Sequence, residues 1–315
     1  MPGVSSDIAL GDGGQSGPFP PVAYLVGAQK AGTTYLASLL DQAPDICLAA
    51  PKEPHFFTQH WHDGVDFYRR CFKDDAADVF LDASTSYSAA PVHRGMEAAR
   101  DPASSRLAGV PERIRAMQPQ ARFIYLIRDP VARLWSSYWH DVRIGEQSAP
   151  FREVIERYPY YADMSEYLAQ IRLYREHFPG ERFLFLRFED LQSDPESVVR
   201  QCRCFLGLDS NVGLSVDQGS THASYNPGRV AGALIRAARR SEGLRRAQQS
   251  VWRCLPATVQ QGLKRRLTRP VPTMDDESRQ LLEARFAPMV APLEEATGLD
   301  LSEWRWRYQY VDSTE

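Results

Sequence analysis

The sequence has no long apolar run, no strong charge bias and no pattern typical of a signal peptide. No stretch approaches about 18 consecutive apolar residues, so the sequence predicts no transmembrane helix. The formal net charge of -3 over 315 residues is too small to indicate nonspecific nucleic-acid binding. Residues 1–20 are rich in Gly, Pro and Ser and have neither a basic start nor an apolar stretch, so we expect a disordered leader.

Cysteine is also scarce, and its spacing does not match that of a metal site. The chain has 5 cysteines, and an odd count without ligand-like pairs indicates free thiols in a reducing compartment. Cys202 and Cys204 lie two residues apart in a helical pattern, where their side chains point away from each other. We therefore expect a cytoplasmic protein without a metal centre.

Short apolar runs that alternate with helical patterns predict the fold. The predicted strands are Val22–Val26, Val79–Leu81, Phe123–Ile127 and Phe183–Leu186. The predicted helices are Thr34–Gln42, Pro111–Met117, Val131–Val142, Met164–His177, Glu196–Leu206 and Glu277–Leu293. This alternation is typical of an α/β fold with a central parallel sheet flanked by helices. We predict a single domain over residues 21–315 after the leader.

One segment of the predicted domain has a different composition. Residues 228–269 carry eleven Arg or Lys residues against one acid, Glu242. The segment is either the solvated basic face of surface helices or a functional element. The functional interpretations are a lid over an anionic ligand and a patch for an acidic lipid or glycan. We treat residues 228–272 as a basic helical insertion or lid.

The first strand leads into a tight loop that carries glycines, a lysine and two hydroxyl groups. A glycine-containing loop between a strand and a helix presents backbone N–H groups to a phosphate. The P-loop pattern G-x-x-x-x-G-K-[ST] places a lysine directly after its last glycine. Here Thr33 follows Gly32, and the lysine lies inside the loop at Lys30. This P-loop-like arrangement favours a phosphate-bearing donor other than a hydrolysed nucleoside triphosphate, unless the loop is an ordinary strand–helix turn.

A second motif follows the strand that ends near Ile127. Arg128 stands at the end of this strand, and Asp129 with Pro130 is a strong helix start. Arg128 is therefore expected at the carboxyl edge of the sheet, where open α/β sheets bind ligands. Ser136 follows two helical turns later, about 12 Å along the helix axis. The pair is suited to hold one phosphate, although Arg128 alone is equally compatible with a structural ion pair.

The two motifs together resemble those of the sulfotransferase family. The chain has G-x-x-K-x-G-T-T after its first strand and R-D-P-x-x-R-x-x-S after a later one, in the same order. The resemblance spans roughly residues 22–306 and implies 3'-phosphoadenosine 5'-phosphosulfate (PAPS) as donor, with no metal. It implies a 3'-phosphate site at Arg128 and Ser136. The residues implied at the 5'-phosphosulfate are Gln29, Lys30, Ala31, Gly32, Thr33 and Thr34.

Further blocks extend the resemblance towards the heparan-type carbohydrate sulfotransferases. Residues 51–57 resemble their K-E-x-H-F-F block, whose glutamate is the proposed general base, which implies Glu53 as a catalytic residue. His55 is an alternative base or acceptor ligand. His140, four residues after Ser136, matches a histidine of the heparan N-sulfotransferase group and is a further catalytic candidate. Without the resemblance, Glu53 is a surface glutamate and His140 a structural histidine.

The same resemblance bears on two further positions. Residues 222–229 fall where bacterial members carry a loop over the nucleotide, which implies that Arg229 reaches the 3'-phosphate. Ala83 and Ser84 stand where heparan-type members often have a lysine. It therefore stays open whether a second cation contacts the donor or the acceptor.

The resemblance implies an enzyme that moves a sulfuryl group from PAPS to a hydroxyl or amino group of a carbohydrate or glycolipid. The acceptor attacks in line, and adenosine 3',5'-bisphosphate (PAP) leaves. Three alternatives stay open: a tyrosylprotein sulfotransferase with an acidic peptide acceptor, a P-loop kinase, and a nucleotide-binding adaptor at an anionic membrane through residues 228–269. The absence of a lysine after Gly32 argues against the kinase.

Overall fold

The computed structural model describes residues 22–73, 76–92, 105–210, 213, 215, 225–226, 269–304 and 306. The predicted leader, Arg229 and most of the predicted basic insertion lie outside these residues.

A five-stranded parallel sheet forms the centre of the described structure. Its strands are β1 (Val22–Gly27), β2 (Ile46–Leu48), β3 (Val79–Asp82), β4 (Arg122–Ile127) and β5 (Phe183–Arg187). They lie in the order β2-β3-β1-β4-β5, and every neighbouring pair is parallel. β1 is buried along its whole length, as expected for a sheet covered on both faces. The predicted fold class and four predicted strands are confirmed, whereas the three-residue β2 is too short to give a sequence signal.

Helices and short 3-10 turns surround this sheet. The helices are α1 (Thr33–Leu40), α2 (Gly64–Arg69), α3 (Val110–Met117), α4 (Pro130–Ile144), α5 (Phe151–Arg157), α6 (Tyr160–Asp163), α7 (Tyr167–Arg175), α8 (Phe188–Ser193), α9 (Pro195–Leu206) and α10 (Asp276–Thr297). Asp129, Asp194 and Asp275 cap α4, α9 and α10, because each carboxylate accepts a backbone N–H three residues further on. These aspartates explain why the three helices begin where the sequence predicts.

The predicted helix Met164–His177 is wrong at its start. The chain forms α6 and α7 instead, and it leaves the helical conformation between them. The Ser165 hydroxyl accepts a hydrogen bond from the fully buried Arg133 side chain and donates to the Pro130 carbonyl. Arg133 also donates to the Tyr161 carbonyl. A buried guanidinium needs such partners, and they come from a distant part of the chain, which a local helical pattern does not reveal.

The strand order creates a crevice between β1 and β4. The chain leaves β1 towards one edge of the sheet and leaves β4 towards the other, so the carboxyl ends of these strands form a topological switch point. The loop of residues 28–32 and Arg128 therefore lie next to each other. A second, two-stranded sheet pairs β6 (Tyr225–Asn226) antiparallel with β7 (Arg269–Pro270), and β6 lies beside α4. Within the described residues, the helices are too short or too polar to cross a membrane.

Candidate active site

The loop after β1 has a backbone that few sequences adopt. Gly32 has a φ of 91°, and a Cβ there would come within 3.0 Å of the Phe188 ring, so both the backbone and the packing require glycine. Lys30 also lies in the left-handed region, with a φ of 70°. Gly32 precedes α1 without a side-chain cap on the helix. The first N–H groups of α1 are thus presented as a site for an anion.

Lys30 lies in a cluster of cations. Its Nζ is 3.4 Å from His140 Nδ1, and its carbonyl oxygen accepts a hydrogen bond from Arg128 at 3.1 Å. Burial, followed by the positive charges of Arg143 and Arg128, lowers the pKa of Lys30 to about 8. Holding these charges together costs free energy that a bound anion would offset. The loop therefore fits a group with several negative charges, such as a phosphosulfate.

Arg128 connects the loop to the end of β4. Its guanidinium lies over the Phe188 ring, 4.6 Å from the ring centroid, and its own carbonyl oxygen accepts from the Tyr167 hydroxyl at 2.7 Å. Burial lowers the pKa of Arg128. The negative charges of Glu189 and Asp129 act against this lowering, and the assignment of Arg128 to a phosphate stays a prediction. Ser136 lies two turns further along α4, half-buried.

α4 runs along the loop and contacts it at two points. The Ser137 hydroxyl donates to Gln29 Oε1 at 2.9 Å, and His140 faces Lys30 one turn further on. His140 Nδ1 also accepts from Arg143 at 2.7 Å. Burial, then Lys30 and Arg143, lowers the pKa of His140 to about 4. A neutral His140 whose Nδ1 accepts hydrogen bonds carries its proton on Nε2, which suits it to donate a hydrogen bond and makes it a weak base.

Glu53 lies beside this cluster with its carboxylate fully engaged. One oxygen is 2.9 Å from Lys52 Nζ, and the other accepts from the Thr85 backbone N–H at 3.2 Å and hydroxyl at 2.9 Å. Burial alone would raise the pKa of Glu53, but Lys52 and Thr85 outweigh it, so the pKa lies below its usual value. Glu53 is therefore ionised at neutral pH and able to accept a proton.

Lys52 joins the Glu53 region to the loop. Its Nζ donates to the Thr34 hydroxyl at 3.3 Å while it pairs with Glu53. His55 Nε2 is 3.8 Å from the same Glu53 carboxylate, and its Nδ1 is 2.8 Å from the Ser86 hydroxyl. Burial lowers the pKa of His55, so a neutral ring lies next to Glu53 near pH 7.

The structure thus brings the predicted loop, Arg128, His140 and Glu53 to one end of the sheet, while Arg229 lies outside the described residues. Sequence reasoning did not single out Lys52, Thr85, Ser86, Ser137 or Arg143. Two of these had a usable signal: Lys52 precedes Glu53, and Arg143 follows His140 by three residues, on the same helical face. At the position where heparan-type members often have a lysine, Ala83 is buried, and the cations near the site are instead Lys52 and Arg143.

Metal ligands do not cluster in the described part of the chain. No group of three or more His, Cys, Asp or Glu side chains there is placed to hold a metal ion. The expectation of metal-free chemistry stays a prediction.

Comparisons with known proteins agree with this geometry. Residues 20–261 match the family model described as "Sulfotransferase domain". The chain is 30% identical over 197 residues to "Heparan sulfate glucosamine 3-O-sulfotransferase 3A1" of Mus musculus, an overlap of 60% of this chain and 46% of the relative. It is 31% identical over 198 residues to "Heparan sulfate glucosamine 3-O-sulfotransferase 6" of Homo sapiens, covering 60% and 52% respectively. The chain spans about half the length of the curated relatives it matches.

A solved structure shares the fold over most of its length. The sulfotransferase from Alicyclobacillus acidocaldarius superimposes with a TM-score of 0.61 at 25% sequence identity, and the match covers 91% of this chain and 99% of that one.

Proposed function

The chain belongs to the sulfotransferase domain family, and on that premise we propose that it transfers a sulfuryl group from PAPS to a hydroxyl group of a carbohydrate. The observation that carries the proposal is Lys30, held inside the loop among Arg128 and Arg143 with its pKa lowered to about 8. A site that crowds half-buried cations is suited to a polyanionic donor. The family match and the names of the relatives support a sulfuryl donor and a glycan acceptor.

The loop and its neighbours hold the donor in this proposal. When bound, PAPS would supply the sulfuryl group, whose bond to the bridging oxygen of the 5'-phosphate breaks with the electron pair left on that oxygen. Lys30 and the N–H groups at the start of α1 stabilise the negative charge that develops on the bridging oxygen. Arg128 and Ser136 hold the 3'-phosphate, and Thr33 and Thr34 donate hydroxyl hydrogen bonds at the phosphosulfate end. Gln29 and Ala31 are assigned to the 5'-phosphosulfate because they lie in the loop that surrounds it in this proposal.

Glu53 prepares the acceptor. Its ionised carboxylate takes the proton of the attacking hydroxyl while the hydroxyl oxygen forms its bond to sulfur, and the bridging oxygen leaves with PAP. The proton then passes from Glu53 to solvent, which returns Glu53 to its ionised form. His140 Nδ1, the ring nitrogen that could take up a proton, already faces Arg143 and Lys30, so in this proposal His140 donates an Nε2–H hydrogen bond and Glu53 is the base.

The other functions left open by the sequence have less support. The relatives named above act, by their names, on a glycan, which favours a carbohydrate over a peptide or a glycolipid and gives no support to membrane contact. Transfer to an amino group remains an alternative outcome of the test. Cytoplasmic location stays a prediction.

The test is transfer of label from ³⁵S-PAPS to a panel of acceptors: heparan sulfate, chondroitin, a tyrosine-containing acidic peptide, a glycolipid and a phenol. We expect label in a polysaccharide, loss of transfer in Lys30→Ala, and full transfer in the control Lys73→Ala, which removes an exposed lysine. Label confined to the peptide, or no labelled product from any acceptor, would overturn the proposal.

A further inference from the structure

Asp82, a buried carboxylate next to the candidate base, has no role in the mechanism described so far. It is fully buried at the end of β3. One of its oxygens accepts from the hydroxyls of Tyr68 and Tyr87, each at 2.8 Å, and the other accepts from the Ser84 N–H at 2.9 Å. A buried carboxylate is costly unless hydrogen-bonded, and its bonds fix the positions of the groups that donate them.

The turn that follows Asp82 supports the candidate base. Thr85 donates both its N–H and its hydroxyl to Glu53. Ser84 accepts the N–H of His55 at 3.0 Å, and the Ser86 hydroxyl meets the His55 ring at 2.8 Å. Three consecutive residues of one turn therefore hold Glu53 and His55 in place.

Asp82 in turn holds this turn at both of its ends. Its contact with the Ser84 N–H fixes the entry, and its contact with the Tyr87 hydroxyl fixes the exit. Tyr68, on α2, joins the same carboxylate to the helix that follows the Glu53 segment. Asp82 is thus connected to Glu53 through the backbone of this turn, since Asp82 binds Ser84 and Tyr87 and the intervening Thr85 binds Glu53.

We propose that Asp82 is a positioning residue for the sulfuryl transfer: it holds residues 84–87 so that the Glu53 carboxylate faces the acceptor hydroxyl. The proposal rests on the proposed function, with Glu53 as base. Positioning matters because a displacement of about 1 Å between reacting groups costs about 10²-fold in rate. The Asp82 carboxylate forms its hydrogen bonds with Tyr68, Ser84 and Tyr87 and not with residues 28–32, so its loss should change turnover and leave donor binding intact.

The test compares Asp82→Asn with the wild type in the full chain. Asparagine keeps the shape of the side chain but puts an N–H₂ where two tyrosine hydroxyls now donate. With ³⁵S-PAPS and heparan sulfate we expect kcat to fall by about 10²-fold while PAP affinity is unchanged. Amide hydrogen exchange should accelerate at Ser84 and Thr85 and stay unchanged in residues 28–32.

A matched control separates positioning from general destabilisation. Asp45 lies at the opposite end of the sheet, where its carboxylate binds the buried Arg203 at 2.9 and 2.6 Å. Asp45→Asn should lower the melting temperature and leave kcat and the exchange at Ser84 and Thr85 unchanged. In a double-mutant cycle, Asp82→Asn and Thr85→Ala should be non-additive in kcat, because both act through the Glu53 carboxylate.

Two results would overturn the proposal. One is a wild-type kcat in Asp82→Asn; the other is a loss of PAP affinity together with faster exchange across β1 and the loop, which would give Asp82 a purely structural role. If the wild type transfers no label to heparan sulfate, the choice of acceptor fails separately. The exchange rates of Ser84 and Thr85 then still decide whether Asp82 fixes the turn.

Discussion

The donor side and the base side of the site are built on opposite electrostatic principles. On the donor side, burial and neighbouring cations lower the pKa of Lys30 and so disfavour its charge. On the base side, burial works against the charge of Glu53, but Lys52 and Thr85 outweigh it and lower the pKa of the carboxylate. A bound anion would therefore stabilise the charge of Lys30, whereas the charge of Glu53 is already stabilised in the free protein by Lys52 and Thr85.

The two sides also differ in how the chain assembles them. The donor loop is one continuous segment between β1 and α1, joined to Arg128 at the neighbouring strand end. The base side depends on residues about thirty positions apart, since the Thr85 turn follows β3 and Glu53 follows β2.

Glu53→Gln should have the largest effect on turnover. Loss of a general base typically costs about 10²–10⁴-fold in rate, and glutamine keeps the size of the side chain. PAP affinity should stay unchanged because the donor side is intact. Initial rates with ³⁵S-PAPS and calorimetric PAP titrations test this, with Glu181→Gln, an exposed glutamate, as control. A full rate in Glu53→Gln would mean that another group is the base.

Lys30→Ala should lower the transfer rate by about 10²–10³-fold, the usual cost of removing one donor that stabilises a developing charge. PAP binding should weaken as well, since the positive charge also faces the bound product. The same rate assay and calorimetry apply, with Lys73→Ala as the matched control. Unaltered PAPS-dependent transfer would remove Lys30 from the donor site.

Arg128→Gln should affect binding more selectively. Hydrogen bonds to charged groups contribute about 1.5–3 kcal/mol, so PAP affinity should fall by about 10- to 100-fold. Affinity for AMP, which has no 3'-phosphate, should change little. Arg115→Gln, on the exposed face of α3, is the control. An equal loss for PAP and AMP would show that Arg128 acts through the loop it contacts at Lys30 rather than on the 3'-phosphate.

The pH dependence of PAP binding is the smallest expected effect. In the free protein Lys30 loses its proton as pH rises through about 8, and a bound anion raises its pKa. Affinity should therefore fall as the pH rises above about 8, by at most about tenfold per pH unit. Lys30→Arg should remove the decline, because arginine stays protonated. Calorimetry at constant ionic strength measures both; a flat profile for the wild type would contradict the assigned environment of Lys30.

The difference between the donor side and the base side also explains which parts of the site could be predicted from the sequence. The donor loop and Arg128 follow buried strands directly, so local patterns place them at the sheet edge. The contacts of Thr85 with Glu53 and of Arg133 with Ser165 join segments about thirty residues apart, and no local pattern encodes them. β2 was missed for a different reason, since three residues are too few to show a period.

Competition between PAP and ATP with Mg²⁺ for the wild-type chain tests the central claim most directly, namely that the loop with Lys30 inside it receives a PAPS-type donor. We predict that PAP binds more tightly than Mg·ATP, and that the preference is lost in Arg128→Gln. Equal or tighter binding of Mg·ATP would contradict the account and favour a nucleoside triphosphate site.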